Sequence, residues 1–487
     1  MPYKVSFGTI QGAAAAPPKP ESLFRILVLA DFTGRQNRGV AGASQDVAAR
    51  RFVRVSRENL DEVMAKMGVR LSLPAGSGMA VNLSFASLED FHPDRIHDRV
   101  SFIADYDEVD QKTLWMKWVL HHPDFQALES VWRGLDWLLA RALKGTHVEV
   151  VLLDLSFAEL TADLKASENL TASGLHQLLI DKGVRGPYGQ PWGAIVGNYV
   201  FDLTGPHAEL LGRLTKIFRQ ANAPFLSTVD LKVLQPTFAF SADDAPAWQA
   251  LRQLPEASLL GLAVPRFLLR LPYGENTQSI DKFSFEETVL PPERNQYLWG
   301  NPALACAVLL AQAFHKAGWA CKPGSVLDLD ALPIHVYSQD GEEAVTLAEA
   351  WLMKPQPEQL IKKGFMPFLC VRGKGALQLA QVLSLAQPAK DQPSCDLQGH
   401  WGQPFAAPVQ SVSAPLAPKV GMVGQVPDPP RRVASPPAVQ APAAAPVAPV
   451  AAKVAAPPVA APPAQPEAPP AEEEMDPELA ALLKSLE

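Results

Sequence analysis

Two aspartates follow apolar runs that are typical of buried β-strands, a pattern that can hold a magnesium ion in nucleotide hydrolases. Asp31 ends the run LFRILVLAD, and Asp154 ends the run VVLLD. A site of that kind also needs a phosphate loop, G-x-x-x-x-G-K-[ST], and the sequence has none, because Gly373-Lys374 is followed by another glycine. We therefore expect both carboxylates to belong to the turns that follow the two strands.

The histidines, glycines and cysteines also lack the spacing that a site requires. His121 and His122 are adjacent, so on a helix they point in different directions, and no acid or third histidine stands four residues later. The glycines of GVRGPYGQPWG are wrongly spaced for a dinucleotide loop and favour a turn. No GxSxG or HExxH motif is present. We predict no metal site, no cofactor and no catalytic residue, and we expect that the protein is not an enzyme.

The composition limits the location and the partners of the chain. The net charge of -8 and the absence of a basic block with interleaved aromatics make nucleic acid an unexpected partner. The N-terminus lacks an apolar core of signal-peptide length, and no window holds 18 uninterrupted apolar residues, so we expect a cytoplasmic protein without membrane insertion. Four cysteines without CxxC spacing favour free thiols in a reducing compartment: Cys306, Cys321, Cys370 and Cys395.

The stretch from Val119 to Leu143 has the clearest periodicity in the chain. Pro123 suits the first turn of a helix, where its missing N–H has no intrahelical partner to lose. Apolar residues at three- and four-residue steps then predict one buried face, whereas Glu129 and Arg133 are expected on the opposite side. The buried face comprises Phe125, Leu128, Trp132, Leu135 and Leu139.

Strand-like and helix-like segments alternate over most of the chain. LFRILVLAD predicts a fully buried strand, MAVNLSF a half-buried strand, and the segment after Asn301-Pro302 a capped helix. LPIHVY and KKGFMPFLCVRG are further strand-like runs. This alternation predicts an α/β fold with mixed sheets and flanking helices.

Two stretches resemble the subunits of one assembly. HPDFQALESVWRGLDWLL resembles the signature of the large subunit of the type VI secretion contractile sheath, and the blocks FRILVLADFTGR through NLSFASLEDFHPDRI resemble the small subunit. The resemblance implies a sheath-subunit-like fold in which the signature residues are mainly structural. They are Pro123, Phe125, Leu128, Glu129, Trp132, Arg133 and Leu135.

The resemblance covers roughly three-quarters of the chain and divides it into five expected parts. These are a mobile leader (1–21), a small-subunit-like domain (22–112), a domain like the N-terminal portion of the large subunit (113–388), a disordered Pro/Ala-rich linker (389–471) and a short amphipathic helix (472–487). In the family, the large subunit continues with a C-terminal portion that interlocks neighbouring subunits. Here Pro/Ala-rich sequence stands in that place, with 19 of the 46 prolines between Pro404 and Pro470.

The last twelve residues, DPELAALLKSLE, predict a helix that begins with Asp476 and Pro477. The gross gain from burying its four leucines, about 6–12 kcal/mol at ~1.5–3 kcal/mol each, is similar to the cost of ordering the segment. We expect at most weak, reversible docking into a groove of a partner. The leucines are Leu479, Leu482, Leu483 and Leu486.

Two functions are compatible with this sequence. The first is a structural sheath subunit with fused small- and large-subunit parts, whose partners are other sheath subunits or its own copies, and also the inner tube, the baseplate or the hexameric AAA+ ATPase that disassembles sheaths. The second is an accessory protein that keeps the sheath fold but caps, seeds or regulates the sheath. Arg266 and Arg270, which interrupt the run VPRFLLRLPYG, are either solvated charges or contacts to another subunit.

Overall fold

The computed structural model describes residues 3–401 except 41–43, 77–78, 101–102, 104–106, 144, 146, 188, 236, 340–341, 372 and 391. Every structural statement below refers to those residues. The Pro/Ala-rich linker beyond residue 401 and the amphipathic helix expected at 472–487 lie outside them.

Fifteen strands are present in the described part of the chain. They are β1 Phe24–Ala30, β2 Val53–Val55, β3 Val69–Gly76, β4 Met79–Phe85, β5 Val148–Asp154, β6 Ala194–Phe201, β7 Phe225–Val229, β8 Leu260–Val264, β9 Phe267–Leu268, β10 Trp299–Gly300, β11 Asp328–Leu329, β12 His335–Gln339, β13 Glu342–Thr346, β14 Phe365–Cys370 and β15 Leu377–Leu379. Nine of these strands form one sheet in the order β11-β15-β14-β8-β7-β6-β1-β5-β2. The other six form the two-stranded pairs β3-β4, β9-β10 and β12-β13.

The centre of the large sheet is parallel and its two margins are antiparallel. The strands β5, β1, β6, β7, β8 and β14 run in one direction, while β2 at one margin and β15 with β11 at the other pair antiparallel. The central apolar runs, such as FRILVLA, are buried along their full length, as parallel strands covered on both faces must be. The predicted α/β fold with a mixed sheet and flanking helices is therefore confirmed.

Strand β1 joins the two halves of the chain. It pairs along its whole length with β5, from Phe24 opposite Val148 to Ala30 opposite Asp154, and its other edge pairs with β6. The first hundred residues thus supply β1 to the middle and β2 to one margin of a sheet whose other strands come from the following three hundred residues. The two segments share one sheet and one core.

The helices cover both faces of the large sheet. They are α1 Leu60–Met67, α2 Pro93–Arg99, α3 Val109–His121, α4 Pro123–Ala142, α5 Phe157–Lys165, α6 Gly205–Ala221, α7 Ala245–Gln253, α8 Pro302–Ala317 and α9 Gln356–Lys363. Alternate residues of β1 enter two separate clusters. Ile26 and Val28 pack with α3, α4 and α8, whereas Leu27 and Leu29 pack with α5, α6 and α7. Shorter helical turns are Ser44–Ala49, Leu88–Phe91, Leu170–Ala172, Gly174–His176, Gln177–Lys182, Leu231–Leu234, Pro255–Leu259, Arg294–Gln296 and Gly318–Ala320.

Helix α8 begins as its sequence predicts, because the Asn301 side chain accepts a hydrogen bond from the Ala303 N–H at 3.0 Å. The helical stretch Pro302–Ala320 is long and apolar enough, by length and composition alone, to cross a membrane. In the described structure 61% of its apolar window is buried, and the core helix of a soluble protein meets the same criterion.

Both ends of the described chain differ from expectation. In the leader predicted for 1–21, residues 3–15 lie along α6 and bond to it through main-chain and side-chain groups. The linker predicted to start at residue 389 is wrong for its first part, because Leu397 is 2% exposed in the core and Ser384 pairs with Cys395. In both segments, the burial of a few apolar side chains and the backbone hydrogen bonds stabilise one conformation, although the surrounding sequence has low complexity.

Candidate functional site

Helix α4 carries the signature residues and lies against the core. His122 precedes it, and its Nδ1 accepts a hydrogen bond from the Asp124 N–H at 3.2 Å, so the helix begins at Pro123. The indole of Trp132 donates to the Phe32 carbonyl oxygen at 2.9 Å, which joins α4 to the turn after β1. The fully or almost fully buried side chains of this helix include Phe125, Leu128, Trp132, Leu135 and Leu139.

The expectation that Glu129 and Arg133 lie on the solvent side is wrong. Glu129 is fully buried, and the Arg133 side chain is 23% exposed. At about 100° per residue, Glu129 stands only about 40° from Phe125 around the helix, so it belongs to the edge of the apolar face. The sequence contained this signal, because helical geometry alone places the acid beside the core.

Glu129 belongs to a buried network that we call the α4 clamp. Its members are Glu129, Arg133, Arg270, Tyr273 and Glu287. Arg270 donates from Nε to Glu129 at 2.9 Å and from Nη1 to Glu287 at 2.7 Å. Arg133 donates to Glu129 at 2.6 Å and to the Tyr273 hydroxyl at 3.1 Å, and the Tyr273 N–H donates to Glu287 at 2.7 Å.

The charges of the α4 clamp stabilise one another against the effect of burial. Burial alone would raise the pKa of Glu129, but Arg270 and Arg133 outweigh it, and the pKa lies below its ordinary value. Burial alone would lower the pKa of Arg270, but Glu129 and Glu287 outweigh it, and the pKa lies well above its ordinary value. Burial raises the pKa of Tyr273 to about 12. The network contains two acids and two bases, so it balances its formal charge inside the core.

The clamp fixes an irregular segment onto a helix. Arg270, Tyr273 and Glu287 lie in the stretch between β9 and β10, which has little regular secondary structure. Arg270 also lies over the Tyr273 ring, with its guanidinium carbon 4.3 Å from the ring centroid. Arg270 was expected to be either a solvated charge or a contact to another subunit. It is only 6% exposed and pairs with carboxylates inside the core, so it fits neither expectation. Sequence reasoning missed Tyr273 and Glu287, for which no local pattern gave a signal.

Arg266 behaves differently from Arg270 although both interrupt the same apolar run. Its side chain is 36% exposed and forms two hydrogen bonds, each 2.6 Å long, with the Glu349 carboxylate. This pair joins the chain after β8 to the segment after the β12-β13 hairpin. It lies beside a shallow cavity of about 530 Å³ on the outer side of α4.

The two strand-end aspartates meet at the carboxyl ends of β1 and β5. Asp31 accepts hydrogen bonds from the Arg35 and Gln36 N–H groups, each at 2.8 Å. Asp154 accepts from the Phe32 N–H at 2.8 Å and from the Thr33 hydroxyl at 2.8 Å. The carboxylates therefore organise the turn after β1, as predicted.

The region around these aspartates corresponds to the point where strand order reverses in a doubly wound sheet, since β5 and β6 lie on opposite sides of β1. A crevice of about 260 Å³ lies there, lined by Asp31, Asn198 and Tyr199 among others. The Tyr199 hydroxyl donates a hydrogen bond to the Leu155 carbonyl oxygen at 2.7 Å. Asp31 and Tyr199 are thus engaged within the chain, whereas the buried Asn198 Oδ1 has no hydrogen-bond partner in the described structure.

His121 and His122 do not converge. The His122 ring caps α4, whereas the His121 Nε2 lies 3.8 Å from Glu287, and burial lowers the pKa of His121. Within the described ranges, no group of three or more His, Cys, Asp or Glu side chains is arranged to hold a metal ion. At the strand-end turns and at the start of α4, the described polar side chains bond to nearby backbone groups.

Comparison with known proteins identifies the family to which the chain belongs. Residues 103–385 match the family described as EvpB/VC_A0108, tail sheath N-terminal domain (VipB). Residues 13–111 match the family described as Type VI secretion system, VipA, VC_A0107 or Hcp2. The chain belongs to the tail sheath family of type VI secretion systems, and it fuses a small-subunit-like part to a large-subunit-like part.

Individual relatives were also found. The chain is 31% identical over 316 residues to the type VI secretion system sheath protein TssC1 of Pseudomonas aeruginosa strain PAO1. That match covers 61% of this chain and 63% of the relative's length. A chain in the cryo-EM structure of the anti-feeding prophage (AFP) baseplate, 6-fold symmetrised, aligns with a TM-score of 0.35 and 11% identity, over 79% of this chain and 68% of that chain.

Proposed function

We propose that this protein is a structural component of a type VI secretion system that acts as a sheath subunit through protein–protein contacts. The single observation that carries the proposal is the position of β1, which lies between β5 and β6 and so merges the small-subunit-like and large-subunit-like parts into one sheet. A single chain of this kind delivers both parts in a fixed one-to-one ratio. The family membership supports the same role.

The proposed role needs no catalysis by the chain. Its working properties are a stiff core and outer surfaces that meet neighbouring subunits, and the buried α4 clamp and the parallel sheet provide the stiffness. We propose other sheath subunits and its own copies as the main partners. We also propose contacts with the inner tube, the baseplate or a sheath-disassembling AAA+ ATPase. The proposed location is the cytoplasm of a bacterial cell.

The central position of β1 can be tested by splitting the chain. We expect residues 1–107 and 108–487, when expressed together as separate chains, to co-purify in equal amounts, because β5 and β6 each need β1 as a hydrogen-bonding partner and the cut precedes α3. Expressed alone, residues 108–487 should be insoluble, since the loss of β1 and β2 would expose both edges of β5 and one edge of β6.

Two matched substitutions in the 1–107 fragment make this experiment specific. Val28→Asp places a charge at a β1 position that is 2% exposed and should abolish co-purification. Met79→Asp changes a β4 residue that is 49% exposed and should leave co-purification intact. If both fragments are soluble and do not associate, the two parts of the chain do not share one sheet, and the proposal is wrong.

Electron microscopy of the purified full chain tests the sheath role itself. We expect tubes or rings formed by the chain alone or together with sheath subunits. A chain that remains monomeric, and that only co-purifies with a sheath formed by other proteins, would contradict the structural-subunit proposal and favour the accessory role.

A further inference from the structure

A groove lies between α3 and residues 289–296 on the surface of the described structure. Its cavity of about 750 Å³ is lined by one stripe of α3 and, on the opposite wall, by Val289 among others. The stripe residues recur at steps of three and four, whereas the other face of α3 is buried. We call this cavity the α3 groove, and its stripe consists of Leu114, Lys117, Trp118 and His121.

The walls of the α3 groove expose apolar surface. Val289 is 48% exposed, and the next residue, Leu290, is 68% exposed. On the facing wall, Leu114 and Trp118 are only half-buried. Single exposed apolar residues are common, but a rimmed apolar patch marks a binding surface. The α3 groove therefore offers apolar surface that a docked segment could bury.

The charged residues of the groove place a lysine at its border. Lys117 stands about 60° from Leu114 around α3, at the edge of the stripe. Burial lowers the pKa of Lys117, and the Glu286 and Glu287 carboxylates offset this only in part. Glu293, on the opposite wall, caps the short turn that follows it. An additional acid beside Lys117 would therefore stabilise its charge.

The segment 476–487, which lies outside the described residues, has a matching apolar face. The sequence predicts a helix there, and its leucines follow the i, i+3, i+4, i+7 pattern of a helix that binds in an apolar groove. The leucine face spans seven residue steps, about 10 Å along a helix, and the α3 stripe spans the same number. The leucines are Leu479, Leu482, Leu483 and Leu486.

Two acids flank this leucine face. Asp476 stands about 60° and Glu487 about 80° from Leu479 around the predicted helix, so both lie on the same side of the leucines. In one of its two directions along α3, a helix with its leucines on the apolar stripe brings this acidic flank to the border where Lys117 stands. The charges of the segment and of the groove are then complementary.

The described chain ends close to the last turn of α4. The His400 ring packs against Trp319, with 5.5 Å between the ring centroids. His315, four residues before Trp319, donates to the carbonyl oxygen of Ala142, the last residue of α4, at 2.8 Å. Pro123, the first residue of α4, lines the α3 groove. The distance from the end of the described chain to the groove is thus close to the length of α4, about 30 Å for 20 residues.

The intervening chain has a suitable length for this distance. About seventy residues separate Trp401 from Asp476. A flexible chain of that length spans roughly 40–50 Å on average, and a Pro-rich chain spans more. A tether that reaches its site without stretching gives the attached segment a high effective concentration there, so even weak docking is populated.

We propose that the α3 groove binds residues 476–487 of the same chain, with the leucine face against Leu114, Trp118 and Val289. The docked segment covers the apolar walls of the groove. Because one leucine face cannot contact two surfaces at once, docking also withholds the segment from a partner protein until it is displaced. The inference concerns the isolated chain and does not rest on the proposed function.

Binding of a labelled peptide tests both the groove and its occupant. The probe is a fluorescein-labelled synthetic peptide with the sequence of residues 472–487, and fluorescence polarisation measures its Kd. A full-length chain with Leu482→Asp and Leu483→Asp has a disabled segment of its own, so its groove should bind the peptide. The unsubstituted chain, whose own segment competes, should bind the peptide about threefold or more weakly.

Two matched substitutions show whether the peptide binds in the α3 groove. Each is added to the chain with the disabled segment. Val289→Asp places a charge on the apolar wall and should weaken binding about tenfold or more. Val40→Asp changes another loop valine, 45% exposed and outside the groove, and should leave the Kd unchanged. Both valines are exposed, so neither substitution should prevent folding.

Each outcome decides one part of the inference. If the peptide does not bind, or if Val289→Asp leaves its Kd unchanged, the α3 groove is not the site. If the unsubstituted chain binds the peptide as tightly as the chain with the disabled segment, the segment does not dock in its own chain. Competition that appears only at high chain concentration would show docking between copies and would also overturn the inference. The sheath role is unaffected by these results, since the formation of tubes or rings tests it separately.

Discussion

Removal of Arg270 tests whether the α4 clamp is a main source of stability in the body. Arg270 forms four hydrogen bonds with two buried carboxylates, at 2.9 and 3.3 Å with Glu129 and at 2.7 and 3.0 Å with Glu287. In the Arg270→Met variant Glu129 keeps Arg133, but Glu287 keeps the backbone N–H of Tyr273 and the more distant His121 ring, whose Nε2 lies 3.8 Å away. Breaking a buried pair from one side typically costs about 3–5 kcal/mol, and we expect the free energy of unfolding to fall by that amount.

The pH dependence of this loss follows from the shifted pKa of Glu129. Its folded-state pKa lies below the ordinary value, so its stabilising contribution is present above the ordinary pKa and is lost as the pH falls through the folded-state pKa. Without Arg270, burial should raise that pKa, and protonation would then relieve the buried charge. The difference in stability between the original chain and the variant should therefore narrow from pH 7.5 towards pH 5.

Urea unfolding followed by tryptophan fluorescence at both pH values measures these quantities. Replacing Arg270 and Glu287 together by Met and Gln should recover a large part of the loss, because Glu129 keeps Arg133 and Glu287 no longer leaves an unpaired carboxylate in the core. Arg54→Ala is the control, since its side chain is 72% exposed, and it should change the stability by about 0.5 kcal/mol or less. A loss below about 1 kcal/mol for Arg270→Met, or an equal loss at both pH values, would refute the reasoning.

Three further predictions concern other parts of the chain. Gly34→Ala and Gly39→Ala both place alanine at positive φ, +69° and +63°, but only at Gly34 would the new Cβ meet a backbone oxygen, 2.2 Å away. Gly39→Ala should cost about 1–2 kcal/mol and Gly34→Ala clearly more, as measured by thermal unfolding. Trp132→Phe leaves a buried carbonyl oxygen without its donor and should cost about 1–3 kcal/mol in the same assay, whereas Trp351→Phe, at a residue 37% exposed, should cost about 0.5 kcal/mol or less. Deleting residues 472–487 should weaken pull-down of a secretion-system partner without changing the unfolding temperature, and unchanged pull-down would remove the docking-helix prediction.

Local periodicity predicted many strands and helices of this fold, because the spacing of apolar residues within each element follows the face that the element buries. LFRILVLAD and MAVNLSF form strands β1 and β4, and Pro123 and Pro302 begin α4 and α8 as their positions indicate. The role of Asp31 in a turn was also predictable, since no phosphate loop follows it. These features depend on neighbours in sequence.

Features that depend on distant residues could not be predicted. The network around Glu129 combines residues that are 141 positions apart, and no local pattern marks Glu287 as its member. Residues 3–15 lie in the leader (1–21) that the sequence predicted to be mobile, but Tyr3 and Phe7 contact α6, which only the folded chain brings beside them. Gly212 gave no signal in the sequence, because the Phe7 ring that occupies the place of its missing Cβ lies far earlier in the chain.

The edges of the large sheet limit how copies of this chain can meet. One edge strand, Val53–Val55, has three residues, and the other, Asp328–Leu329, has two. Short edge strands offer few free N–H and C=O groups, which discourages pairing with a neighbour. The two-stranded pairs outside this sheet have longer strands, eight and seven residues in β3-β4 and five each in β12-β13. If copies join through backbone hydrogen bonds, the edges of these pairs are better suited to the contact than the margins of the sheet at the centre of the fold.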